Sequence, residues 1–80
     1  MIDAFAEWLK ANSSYSSASK SDVISRLKRA NRYLKLPNTA DMNYLYDLQQ
    51  MPEYQGLSVS VRSQIKKSVL MYFDYLRITD

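Results

Sequence analysis

Eighty residues without a single cysteine or histidine exclude disulfides and thiolate metal sites, and they remove the commonest general base and transition-metal ligand. With 46% apolar residues but only one glycine and two prolines, the chain reads as one small, ordered, helical domain over residues 1–80. The net charge of +3 is divided unevenly, at −1 over residues 1–16, +5 over 17–35, −3 over 36–57 and +2 over 58–80.

The first helix is expected over residues 3–11, capped by Asp3, with Phe5, Trp8 and Leu9 forming one apolar stripe. The polar run from Asn12 to Ser17 breaks it, because these side chains compete for backbone hydrogen bonds. A second helix over 17–34, capped by Ser16 or Ser17, places Val23, Ile24, Leu27, Ala30, Asn31 and Leu34 on one side. Arg26, Lys28, Arg29, Arg32 and Lys35 fall on the opposite side, with Lys20 near the start. Pro37 stops this helix, since the residue before a proline avoids helical angles.

A third helix is expected over 39–50, capped by Asn38 or Thr39, with Met42, Leu45, Tyr46 and Gln49 on its inward edge. Residues 51–57, which include Pro52 and Gly56, read as a loop. The fourth helix spans 59–76 with Ser58 as its cap, and Leu57 is placed to pack on Val61 or on the stem of Arg62. Its apolar stripe is Val61, Ile65, Val69, Tyr72, Phe73 and Leu76, with Arg62 and Lys66 on one flank and Lys67 toward the other. Most aromatics belong to these stripes and are expected in the core; Tyr15 and Tyr33 alone stand among basic residues.

No catalytic set emerges. Asp41 and Asp47 are too far apart along a helix to converge, Asp22 stands alone, and the serines have no histidine to activate them. No glycine-rich phosphate loop is possible with one glycine. The start MIDAFAEWLK has acids where a signal peptide has basic residues, and no run approaches the roughly 20 apolar residues of a membrane span. The expectation is a cytoplasmic, non-enzymatic module with no cofactor, no metal, no membrane partner and no small-molecule substrate. A helix with one buried edge and a concentrated basic face suits a phosphate backbone.

In order and spacing the chain resembles the N-terminal core-binding domain of tyrosine recombinases and phage integrases, a SAM-like helical bundle. Phe5-Ala-Glu-Trp-Leu9 stands where family members carry a short helix with Phe and Leu. Tyr15-Ser-Ser-Ala-Ser19 and Leu27 match the Ser/Thr-led second helix, although the family often has Tyr where this chain has Val23. Asn38-Thr39-Ala-Asp41 leading to Tyr44-Leu45 matches the short capped helix. Ser58-Val-Ser60 through Tyr72-Phe73-Asp-Tyr75-Leu76 matches a last helix that ends in an aromatic pair and Tyr-Leu.

This resemblance implies an all-α, four-helix bundle that forms one half of a clamp around double-stranded DNA, encoded by a bacterium or phage. Its second and fourth helices would face the duplex. On them Ser19, Lys20, Arg26, Lys28, Arg29, Arg32, Ser60, Arg62, Lys66 and Lys67 are the candidate DNA-binding residues. Lys20, Lys28, Arg29 and Arg32 would neutralise phosphates, while Arg62 and Lys66 would reach phosphates or base edges. The family's catalytic Arg, His and Tyr residues lie in a separate C-terminal domain, which is expected to follow in a longer polypeptide and is not in this chain. Two alternatives stand beside this reading: a helical protein-interaction module, in which the acids of 36–57 meet the basic face, and the same DNA-binding module attached to a nuclease.

Overall fold

A computed structural model describes residues 2–12 and 17–79. The described residues form a small all-α bundle of five helices and no strand: α1 (Ile2–Asn12), α2 (Ser17–Tyr33), α3 (Asn43–Gln49), α4 (Pro52–Gln55) and α5 (Val59–Thr79).

The long helix α5 is the spine. Ile65, Val69, Tyr72 and Phe73 recur at i, i+4, i+7 and i+8 and are completely buried. α2 makes the most extensive helix–helix contact with it and buries Val23, Leu27 and Ala30. α1 closes one side through aromatic rings. Phe5 meets Tyr72 and Tyr75 edge-on with centroids 5.6 Å apart in each pair, and Trp8 lies 5.5 Å from Tyr75. Such pairings add specific geometry to the burial of large apolar surface.

Tyrosine hydroxyls and one amide fasten the remaining pieces. Tyr44 Oη donates to the Leu34 carbonyl at 2.7 Å, just past the end of α2, and more weakly at 3.3 Å to the Ala30 carbonyl, which also accepts the Leu34 N–H at 2.9 Å. Asn31 Oδ1 accepts the Leu36 N–H at 3.0 Å, which turns the chain and drives Leu36 into the core. Tyr72 Oη donates to the Pro37 carbonyl at 3.1 Å, and Tyr54 Oη donates to the Arg62 carbonyl at 2.8 Å.

Several sequence expectations change. The bundle has a fifth helical segment, because residues 51–57 contain the single turn α4 instead of a plain loop. Met51 is extended (φ −71°, ψ 128°), as the residue before a proline must be, and Pro52 at the first helical position has no N–H to leave unpaired. Gln55 N–H then donates to the Met51 carbonyl at 3.0 Å, and Tyr54 is buried. α3 begins at Asn43 and is not capped by Asn38 or Thr39; Asp41 Oδ1 accepts the Asn43 N–H at 3.0 Å instead. Its buried edge is Tyr44, Leu45 and Leu48, so of the expected edge only Leu45 is inside. Met42 and Tyr46 are 51% and 66% exposed, because Tyr44 is the residue that reaches α2 and its position sets the phase.

Asp3 lies within the first turn of α1 and does not cap it. α5 runs three residues past the expected end at 76. Its expected cap is present: Ser58 Oγ accepts the Val61 N–H at 3.3 Å. Leu57 and Val61 are both half-buried against the core, as the staple geometry requires. The expected cap Ser16 and the aromatic Tyr15 lie outside the described residues.

Candidate nucleic-acid interface

The basic residues of α2 divide into two flanks of its outward side. Lys28 and Arg32, at i and i+4, are exposed on one flank. Arg26 and Arg29, at i and i+3, are half-buried on the other. Lys35 continues the exposed basic surface just past the helix end. Arg29 is held in place: its Nε donates to Tyr33 Oη at 2.7 Å, and its guanidinium carbon lies 6.0 Å from that ring's centroid. Tyr33 therefore buttresses an arginine and does not stand as a free stacking platform.

Among the described residues the only ion pair joins Arg77 to Asp74 at 3.1 Å, within α5. No acid neutralises the cations of α2. Asp22, the only acid of that helix, is exposed and pairs with none of them. The result is a ridge of like charge whose own side chains repel at i, i+3 and i+4 spacing, a small cost to the isolated helix that an anionic partner relieves.

Lys20 does not join this ridge. It sits on the side of α2 that faces the bundle, and its Nζ donates to the Lys10 carbonyl near the C-terminus of α1 at 3.1 Å. There it meets the negative end of the helix dipole. Ser19 lies in α2, with its side chain outside the described ones.

The candidates on α5 also separate. Ser60 and Lys67, seven residues apart, share an exposed outer strip. Arg62 and Lys66 face another way. Together with Gln49, Gln50, Tyr54 and Gln55 they line an open cleft of about 660 Å³ between α3, α4 and the N-terminal half of α5. Arg62 is half-buried, and its Nε is fully buried with no hydrogen-bond partner. Burial pushes the Tyr54 hydroxyl above its ordinary pKa of 10.0, and the nearby Arg62 guanidinium partly offsets this. Tyr54 thus stays protonated and keeps its bond to the Arg62 carbonyl at neutral pH.

Gln50 and Gln55 escaped the sequence reading, and Gln49, expected on the inward edge of the third helix, is exposed and lines this cleft instead. Gln50 and Gln55 lie outside any apolar stripe, and it is α4 that folds Gln55 back so that its Nε2 donates to the Gln49 carbonyl at 3.0 Å. The signal available beforehand was the concentration of amides around Pro52.

Among the described residues no three acidic side chains gather as they would around a metal ion, and no helix is long and apolar enough to cross a membrane. No family model, curated protein or solved structure matches the chain.

Proposed function

We propose that this domain binds double-stranded DNA through the outward side of α2, as a non-catalytic accessory domain of a phage integrase or related site-specific recombinase. The observation that carries the reading is the ridge of Arg26, Lys28, Arg29 and Arg32, continued by Lys35, with no acid paired to any of them. A surface of this kind releases counterions from a polyphosphate, which is the dominant sequence-independent part of DNA affinity. Ser60 and Lys67 on the outer strip of α5, the helix packed most extensively on α2, are candidates for further phosphate contacts. The resemblance to core-binding domains supplies the clamp role, and catalysis is assigned to another domain of a longer polypeptide. A nuclease is the other enzyme that such a module would serve.

Fluorescence anisotropy with a labelled duplex of about 20 base pairs tests this reading. About five neutralised phosphates give a slope of log K against log[salt] of roughly −4 to −5. The double variant Arg29→Glu/Arg32→Glu is expected to abolish binding while the fold is retained. A folded domain that binds no duplex even at low salt would overturn the proposal.

One observation favours a second reading, a protein-interaction module. Met42, just before α3, and Tyr46 on it expose large apolar surface near the exposed acids Asp41 and Asp47, a face complementary to the basic ridge of another copy. Sedimentation velocity over a concentration series separates the two. Self-association lost in Asp47→Lys supports this alternative, and a strictly monomeric domain removes it.

A further inference from the structure

The cleft between α3, α4 and α5 takes no residue from α2, and its chemistry differs from that of the ridge. It is concave where the ridge is convex. Two cations, Arg62 and Lys66, line it without any acid, and neither has an ion-pair partner. Gln49, Gln50 and Gln55 add three amides, each able to donate and to accept. Ser63, also in the lining, adds a hydroxyl on the same flank of α5 as Lys66.

Arg62 is the most telling member. Its Nε is buried without a protein acceptor, while the rest of the half-buried guanidinium borders the cleft. Its backbone is held by the Tyr54 hydroxyl bond at 2.8 Å, and α4, which carries Tyr54, is set by Pro52. The backbone that carries this side chain is therefore held, and its guanidinium has a buried Nε and no ion-pair partner before any ligand arrives. An oxyanion in such a place interacts more strongly than it would with a fully solvated arginine.

The cleft is wide open to solvent, and its volume of about 660 Å³ far exceeds one phosphate or carboxylate group, which leaves room for an organic part beside the oxyanion. We infer that this cleft binds a small organic phosphate, with the phosphoryl oxygens on Arg62, Lys66 and Ser63 and the polar edge of the organic part on the three glutamine amides. The inference does not rest on duplex binding by α2, and it assigns the domain a ligand that the sequence alone does not suggest.

The test is an NMR titration of the 15N-labelled domain with adenosine 5′-monophosphate and, separately, with inorganic phosphate, each against sodium chloride at matched ionic strength. The expected result is saturable shifts at the Arg62 side-chain Nε–H and at the backbone amides of 49–55 and 63, while the amides of α2 stay in place. Adenosine 5′-monophosphate should bind more tightly than inorganic phosphate. Lys66→Gln, an exposed substitution that leaves the core untouched, should weaken binding by about tenfold, the loss of one charge-assisted hydrogen bond. The shifts should persist in Arg29→Glu/Arg32→Glu, which separates this site from the ridge. The proposal is overturned if the shifts fail to saturate, if sodium chloride reproduces them, if inorganic phosphate binds as tightly as the nucleotide, or if Lys66→Gln binds equally well.

Discussion

Tyr44 ties two helices together with one hydroxyl. Its Oη donates to carbonyls of Leu34 and Ala30 while its ring lies 6.2 Å from that of Phe73. Removing the oxygen in Tyr44→Phe leaves the ring packed but takes the donor away from the half-buried Leu34 carbonyl, while the Ala30 carbonyl keeps the Leu34 N–H. A loss of about 1–1.5 kcal/mol is expected in urea unfolding. Burial, with a smaller contribution from Tyr72, pushes the Tyr44 pKa up to about 12 from 10.0. The native state thus keeps a proton that the unfolded chain has begun to lose. This contribution to stability is complete below pH 10 and disappears as pH climbs through 10 to 12. Burial raises Tyr54 and Tyr72 in the same direction. Wild-type stability should therefore fall steeply across that alkaline window and Tyr44→Phe should fall less steeply. Parallel curves would show that Tyr44 is not the group responsible.

Among the helices, length decides what the sequence reveals. α2 and α5 run for 17 and 21 residues, long enough for an apolar period to show which side is buried, and both were legible. α3 has seven residues, less than two full turns, and its phase follows from the reach of Tyr44 to α2, a tertiary contact that no local pattern encodes. α4 is a single turn whose Pro and Gly look like loop punctuation until Tyr54 is seen to be buried. The basic ridge was legible because it is one face of one long helix, whereas the cleft draws on three elements. Lys20 comes seven residues before Leu27, so it falls on the buried side with it. The α4–α5 junction offers two opposite tests. Ser58→Ala removes the acceptor of the Val61 N–H and should cost about 1 kcal/mol. Gly56 has ordinary helical angles (φ −75°, ψ −8°), and an added Cβ would meet only the carbonyl oxygens of Pro52 and Glu53 at 3.6 and 3.8 Å. Gly56→Ala should therefore stabilise the fold by about 0.4–1 kcal/mol through the unfolded chain, read in the same denaturation assay. A destabilised Gly56→Ala would mean that the turn needs more freedom than its angles imply.

For the molecule as a whole, what matters is which cations are committed internally and which face solvent unpaired. The core is small, so helix-to-helix fasteners count, and Lys20 is one of them: it joins α2 to the end of α1. Arg32 has no such task, being exposed and unpaired. Two substitutions that each remove one positive charge from the same helix should therefore act differently. Arg32→Gln should leave thermal stability nearly unchanged, since it relieves repulsion on the ridge. On duplex DNA it should reduce the magnitude of the salt slope by about 1, the contribution of one phosphate. Lys20→Gln should leave that slope unchanged and lower stability by about 0.3–1 kcal/mol, the range for a cation at a helix C-terminus. Net charge alone forecasts the same loss of affinity for both, so the pair isolates geometry from charge. If Lys20→Gln flattens the slope as much as Arg32→Gln, then Lys20 leaves the Lys10 carbonyl to reach DNA, and the binding surface extends over the α1–α2 junction beyond the ridge.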